Sequence, residues 1–169
     1  MKIVLTDISA AGRGFTFTES FDFSADNVEL DDPLQAKVMI TREGEVEYGL
    51  VGELQARVLL RCDRCGRQFE HEIGHDFAYT MKVEEEPQLP PEYDSSHDDC
   101  ETIYLEQPFV ESREILAEQL LLAVPIHRLC KESCKGLCDG CGVDLNETTC
   151  QCGERESNSP FAVLKKISK

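Results

Sequence analysis

Apolar and polar residues alternate along most of the first eighty positions, and a period of two predicts strands. Phe15-Thr16-Phe17-Thr18 and Phe21-Asp22-Phe23 alternate rings with polar side chains, after a turn marked by Gly12 and Gly14. These rings read as core-facing; the alternative is a platform on which nucleic-acid bases stack. Leu34, Ala36, Val38 and Ile40 share one face of the next strand, and Arg42-Glu43-Gly44-Glu45 reads as a hairpin turn. Val46, Tyr48 and Leu50 resume the alternation before Gly52, and Leu54, Ala56, Val58 and Leu60 then run straight into Cys62. Phe69, His71 and Ile73, followed by Phe77, Tyr79 and Met81, carry the pattern on. The expectation is an antiparallel meander with Cys62 and Cys65 at a hairpin tip, where the flanking ladder fixes both sulfurs.

Beyond residue 82 the period is lost and then changes. Residues 82–106 carry acidic side chains at 84, 85, 86, 92, 94, 98, 99, 101 and 106 against the single base Lys82, with Pro87, Pro90 and Pro91 among them. Such a stretch reads as a solvated insertion, or as an acidic arm that docks a basic protein or mimics phosphates. A helix is predicted over 112–124. Ser112 suits its N-cap, Glu114 its positive end, and Ile115, Leu116, Leu120 and Ala123 keep helical spacing before Pro125. Leu121, Leu122 and Val124 make its second half apolar nearly all round, which predicts burial against the sheet. Ser159-Pro160 opens a second, short helix with Phe161, Leu164 and Ile167 as its stripe and Lys165, Lys166 and Lys169 as its charge.

Together these elements predict an α+β fold. It is an antiparallel β meander, sandwich- or barrel-like, with one long buried helix and a C-terminal cysteine-rich zinc-binding segment. Residues 1–129 form the β-rich scaffold, including the acidic insertion (82–106) and the helix (112–124). Residues 130–153 form the zinc segment packed on that scaffold, and 154–169 a linker with the short basic helix.

Charge and cysteine usage narrow the chemistry. A net charge of −16 in 169 residues disfavours non-specific attraction to a nucleic-acid backbone or an anionic membrane. Met1 to Asp7 lacks the apolar core of a secretory signal, and no run approaches the roughly 18 apolar residues of a membrane helix. The chain therefore reads as cytoplasmic, where clustered cysteines are more often metal ligands than disulfides. The odd total of nine cysteines also fits a disulfide set badly.

Six of the nine fall between Cys130 and Cys152, and C-x-x-C pairs followed by glycine occur at Cys62/Cys65/Gly66 and Cys138/Cys141/Gly142. Zinc takes four thiolates at about 2.3 Å in a tetrahedron, and a glycine after the second cysteine allows the positive φ of a tight knuckle. Cys100 and His97 stand apart from any ligand spacing; the other eight cysteines suffice for one or two Zn2+ ions. The preferred pairing joins Cys62 and Cys65 with Cys130 and Cys134, leaving Cys138, Cys141, Cys150 and Cys152 as a local site. A rival pairing sets Cys62/Cys65 against Cys138/Cys141 as one zinc ribbon. Four protein ligands leave no position for a reactive water, so a metal-assisted hydrolase is not expected.

Arg61, Arg64, Arg67, Arg128, Lys131 and Lys135 flank the cysteines in an otherwise acidic chain. They offset the negative charge of zinc thiolates, or form a patch that contacts RNA phosphates together with Lys165 and Lys166 of the tail. No nucleotide-binding glycine loop, nucleophile elbow or histidine–carboxylate cluster occurs, and His71, His75 and His127 read as packing or surface residues. An enzyme and a small-molecule substrate are not expected. A zinc-thiolate redox-switched chaperone is the alternative class.

Arg61-Cys62-Asp63-Arg64-Cys65, the helix ending E-Q-L-L-L-A-V-P at Pro125, the run C-K-G-L-C-D-G-C-G-V-D-L-N from Cys134 to Asn146, and S-P-F-A-V-L-K-K from Ser159 together resemble the YceD family. That family is known as the large ribosomal RNA subunit accumulation protein. The resemblance implies a non-enzymatic factor supporting 23S rRNA accumulation or processing and large-subunit assembly. It also implies large-subunit rRNA or a basic ribosomal protein as partner, and a shared scaffold that zinc stabilises in this version.

Overall fold

A computed structural model describes residues 1–20, 28–84 and 102–152. Phe21 and Phe23, most of the acidic insertion with His97 and Cys100, and the tail helix with Lys165 and Lys166 lie outside the described residues. The chain divides into two compact units. One comprises Met1–Leu60 with Glu70–Ile126, the other Arg61–Phe69 with His127–Lys169. The 61–69 knuckle thus clusters with the cysteine-rich segment rather than with the strands on either side of it.

In the first unit, β1 (Lys2–Val4) is followed by a 3-10 turn, β2 (Arg13–Glu19), β3 (Val28–Leu30), β4 (Leu34–Arg42), β5 (Glu47–Arg61) and β6 (Gln68–Lys82). β7 (Thr102–Tyr104) falls within the stretch 82–106 read as an irregular insertion, and after it come β8 (Phe109–Glu111) and, among the described residues, one α-helix, α1 (Ser112–Ala123). The main sheet has the order β2-β4-β5-β6-β7, and β3 adds to β5 beyond the end of β4. Period-two sequence makes this ladder: in register, Phe17 meets Ala36 and Ala36 meets Leu54, all three buried. Two inward rows on, past Val38 and Gly52, Ile40 meets Leu50, both buried, while Met39 and Val51 pair on the solvent side. On β6 the inward row is His75, Phe77 and Tyr79, whose rings stack at 6.0 and 6.5 Å.

Three features depart from the sequence reading. The last pair of the main sheet, β6 with β7, is parallel rather than antiparallel. β7 is reached through the insertion and not through a tight turn, so nothing forces a hairpin. Among the described strands no pairing closes the sheet, and β1 with β8 forms a separate antiparallel pair.

The helix spans almost the expected residues, but it is buried on one stripe only: Ser112, Leu116, Gln119 and Leu120. Leu122, about 200° around the axis from Leu120, is 68% exposed. One helix laid on one sheet has a single face to bury, whatever the composition of the other. The N-cap is Glu111, without a side-chain cap bond. Ser112 is the first helical residue, and its Oγ accepts a hydrogen bond from the Met1 nitrogen at 2.9 Å. Tyr79, half-buried, has its phenol pushed well above the usual range by burial and then by the Glu118 carboxylate. Among the described residues no helix is long and apolar enough to cross a membrane.

Candidate metal centre

The second unit is built from two copies of one turn. In the 62–67 knuckle, the Gly66 N–H donates to the Cys62 carbonyl at 2.8 Å and the Cys62 N–H to the Arg67 carbonyl at 2.9 Å. In the 138–143 knuckle, Gly142 donates to Cys138 at 2.8 Å and Cys138 to Val143 at 2.9 Å. Gly66 and Gly142 have φ of 69° and 72°, the left-handed region that a side chain resists. The expectation placed on the two glycines therefore holds. The turn faces both sulfurs of each C-x-x-C pair to one side.

Two thiol quartets result. Cys62, Cys65, Cys130 and Cys134 form one group, and Cys138, Cys141, Cys150 and Cys152 the other, with all sulfurs of a group within 4.8 Å of one another. The first quartet follows the preferred pairing, and the two look-alike knuckles do not share a site. Cys62 and Cys134 sulfurs are 3.8 Å apart, as are those of Cys65 and Cys130. A disulfide would need about 2.05 Å. A tetrahedron with metal–sulfur bonds of about 2.3 Å has edges of about 3.8 Å, so the first quartet fits a thiolate-bound ion. In the second, Cys138 and Cys150 lie 3.2 Å apart. Each group could hold a metal ion with all four donors from protein.

The quartets differ in environment. Cys62, Cys65 and Cys134 are buried, with Phe69 and Leu129 packed against them. In the second group Cys141 is exposed and the rest are half-buried. Four sulfurs in contact cannot all carry charge without a cation, and the protons divide unequally. Against the burial that opposes ionisation, backbone N–H groups of Cys130, Cys65 and Arg64 hold the Cys62 thiol down at about 6. Burial and the neighbouring thiols push Cys130 up to about 12. In the second quartet, the Cys150 thiol and then the backbone amides of Gly140 and Cys141 bring Cys138 to about 7. Cys141 pushes Cys152 up to about 12.

The cations expected to flank the cysteines take different roles. Arg64 Nη1 donates to the Cys134 carbonyl at 2.8 Å and to the Glu132 carbonyl at 3.3 Å. Its own carbonyl accepts the Leu137 N–H at 3.1 Å, and Gly136, at φ 74°, allows that approach: a Cβ there would stand 3.0 Å from the Arg64 oxygen. Arg67 pairs with Asp144 at 3.1 Å and with Glu147. Arg128 is tied to Asp63 through its backbone in both directions. Arg61, Lys131 and Lys135 carry exposed side chains. Arg64 and Arg67 thus clamp the loops around the sulfurs.

Sequence reasoning missed Asp144 and Asn146. Asn146 Nδ2 donates to the Cys134 sulfur at 3.4 Å, while its Oδ1 accepts the Lys135 N–H at 3.0 Å. Asp144 Oδ1 receives both the backbone and the side-chain N–H of Asn146, at 2.8 and 2.7 Å. Those bonds, then Arg67, hold the Asp144 carboxyl below its ordinary value. The Asp-x-Asn pattern is a turn signal, but only the fold shows that its amide reaches a sulfur. An outer hydrogen bond of this kind orients a ligand and tunes the charge on it.

The sequence profile described as "Large ribosomal RNA subunit accumulation protein YceD" matches residues 50–168, which include every cysteine of both quartets. The chain is also 26% identical, over 94% of its length, to the protein named Large ribosomal RNA subunit accumulation protein YCED homolog 1, chloroplastic, from Arabidopsis thaliana. It spans 56% of that relative's own length. No solved structure matches. A profile match across most of the chain, knuckles included, makes this protein a member of the YceD family of large ribosomal RNA subunit accumulation proteins.

Proposed function

We propose that the protein is a non-enzymatic factor of ribosome biogenesis in the cytoplasm, supporting 23S rRNA accumulation or processing and large-subunit assembly. Family membership over residues 50–168 carries this reading. The two thiol quartets supply its architecture: Cys62, Cys65, Cys130 and Cys134 hold one Zn2+, and Cys138, Cys141, Cys150 and Cys152 a second. A zinc ion with four protein donors has no open position and acts by holding chain together. The partner is large-subunit rRNA, a basic ribosomal protein, or both. Arg61, Lys131 and Lys135 are available to phosphates, whereas Arg64 and Arg67 are engaged within the unit. Depletion in cells should lower 23S rRNA relative to 16S rRNA, measured by electrophoresis of total RNA and restored by the wild-type gene. An unchanged ratio would overturn the reading.

Metal retention follows pH with a definite sign. Cys130 and Cys152, pushed up to about 12 in the metal-free chain, are protonated at neutral pH and must lose their protons to bind zinc. Cys65 and Cys150 are shifted in the same direction. Metal binding is therefore favoured as pH rises and lost as it falls. These groups release at least two protons per site, which gives at least about a hundredfold change in apparent affinity per pH unit near neutrality. Competition with a chromophoric chelator between pH 6.5 and 8 measures the slope, and a flat profile would show that the thiols are not the ligands.

A further inference from the structure

The solvent face of the main sheet carries an unexplained depression. It has a volume of about 710 Å³ and crosses four strands. Two rows of exposed side chains line it. Gly14, Met39, Val51 and Ala78 make an apolar row, with Met39 and Val51 paired in register and 48% and 61% exposed. Thr16, Lys37, Glu53 and Asp76 make the polar row beside it. A smaller depression continues from Thr16 and Lys37 to Gln35 and Gln55, and a third, of about 460 Å³, from there to Arg57 and Glu72. Adjacent large apolar side chains left in water at the mouth of a depression mark an interaction surface.

Charge selects the occupant. Lys37 is paired with Glu53 at 2.8 Å, and Arg57 lies between Asp32 and Glu72, each at 3.4 Å. Lys37 and Arg57, the cations that line these depressions, are thus each met by a carboxylate, and Asp76 adds a further negative charge. Phosphates find no unpaired cation within them. The aromatic residues that line it, Phe15 and Phe77, alternate with the exposed rows and occupy half-buried and buried positions, so neither sets an open ring among Met39, Val51 and Ala78 for a base to stack on. A cationic and apolar protein segment meets both rows. The apolar row spans three strand spacings, about 14 Å, which is the length of about nine helical residues.

We propose that this sheet face is a docking surface for a basic amphipathic helix of a partner protein, which seats its apolar stripe on Met39, Val51 and Ala78. This deepens the reading of a basic protein partner and rests on it. The probe is a 14-residue peptide of leucine and lysine patterned as an amphipathic helix, titrated into the isotope-labelled, zinc-loaded full chain. A peptide of the same composition in scrambled order and a single-stranded RNA oligonucleotide serve as comparisons. The amide resonances of Gly14, Met39, Val51 and Ala78 should move, and the scrambled peptide should bind at least tenfold more weakly. Val51→Glu, at a position already exposed, should weaken binding at least tenfold with an unchanged melting temperature.

Equal binding of the scrambled peptide, shifts confined to another face, or no shift would overturn the proposal. So would RNA moving the same amides, or concentration-dependent self-association through this face. The titration needs no ribosome. Its failure leaves the rRNA reading standing, and an unchanged 23S to 16S ratio leaves the docking surface standing.

Discussion

Replacing Cys134 by serine should remove one of two bound zinc ions and unravel the second unit while the strand ladder persists. The sulfur of Cys134 is 3.8 Å from that of Cys62 and accepts the Asn146 amide. A serine hydroxyl is not a zinc donor at neutral pH, so the quartet falls to three. Among the described residues its apolar cluster is small: Phe69, Leu129 and Cys130 pack against the buried cysteines. Fully burying a large apolar side chain contributes roughly 1.5–3 kcal/mol, whereas ordering each residue's backbone costs about 1–2 kcal/mol. Zinc binding as proposed, with apparent energies of about 10–16 kcal/mol in small zinc modules, would close that gap. Amide hydrogen exchange should lose protection throughout 61–69 and 127–152, with Leu54 and Val58 still protected. Native mass spectrometry should count one zinc instead of two. Retained protection in a one-zinc protein would show that the apolar contacts suffice alone.

A second large effect lies in the sheet. Gly52→Ala should destabilise the first unit by about 1–3 kcal/mol, the usual cost of overpacking a core. A Cβ on Gly52 would stand 2.4 Å from the Phe77 ring. That ring cannot easily swing aside, since it is buried and stacks on both His75 and Tyr79. For a chain of this size the midpoint of thermal unfolding should fall by about 2–4 °C per kcal/mol. Adding Phe77→Leu should recover part of the loss, because the two substitutions share one contact. Additive losses would mean that the ring and the glycine do not compete for space.

What the sequence made legible follows from how local each signal is. β4, β5 and β6 alternate cleanly because one face of each is buried, and burial writes itself into every second residue. The knuckles were equally legible, since a C-x-x-C-Gly turn is closed by its own hydrogen bonds. Spacing favoured the preferred quartets, because the ligands after Cys138 are close enough in the chain to find one another, but it left the ribbon pairing open until the fold grouped the sulfurs. By contrast, β1 and β8 are three-residue strands paired across the whole first unit, and three residues carry no readable period. The burial of α1 was overestimated from Leu121 and Leu122, whose apolar character says nothing about which face meets the sheet. Asn146 could not be assigned to Cys134 from spacing, because its role exists only once the 134–146 loop has folded back.

The separation of the ligands along the chain has a consequence for synthesis. Cys62 and Cys134 are 72 residues apart, so at about 5–20 residues per second the first quartet stays incomplete for roughly 4–14 s after Cys62 is made. The Cys138–Cys150 pair, separated by 12 residues, is made within about 1–2 s. The nascent hairpin therefore emerges with two bare thiols, open to stray metals and oxidants until Cys130 and Cys134 follow. The more deeply buried site is then the more vulnerable one during synthesis, and the 130–152 segment both completes it and supplies the exposed site.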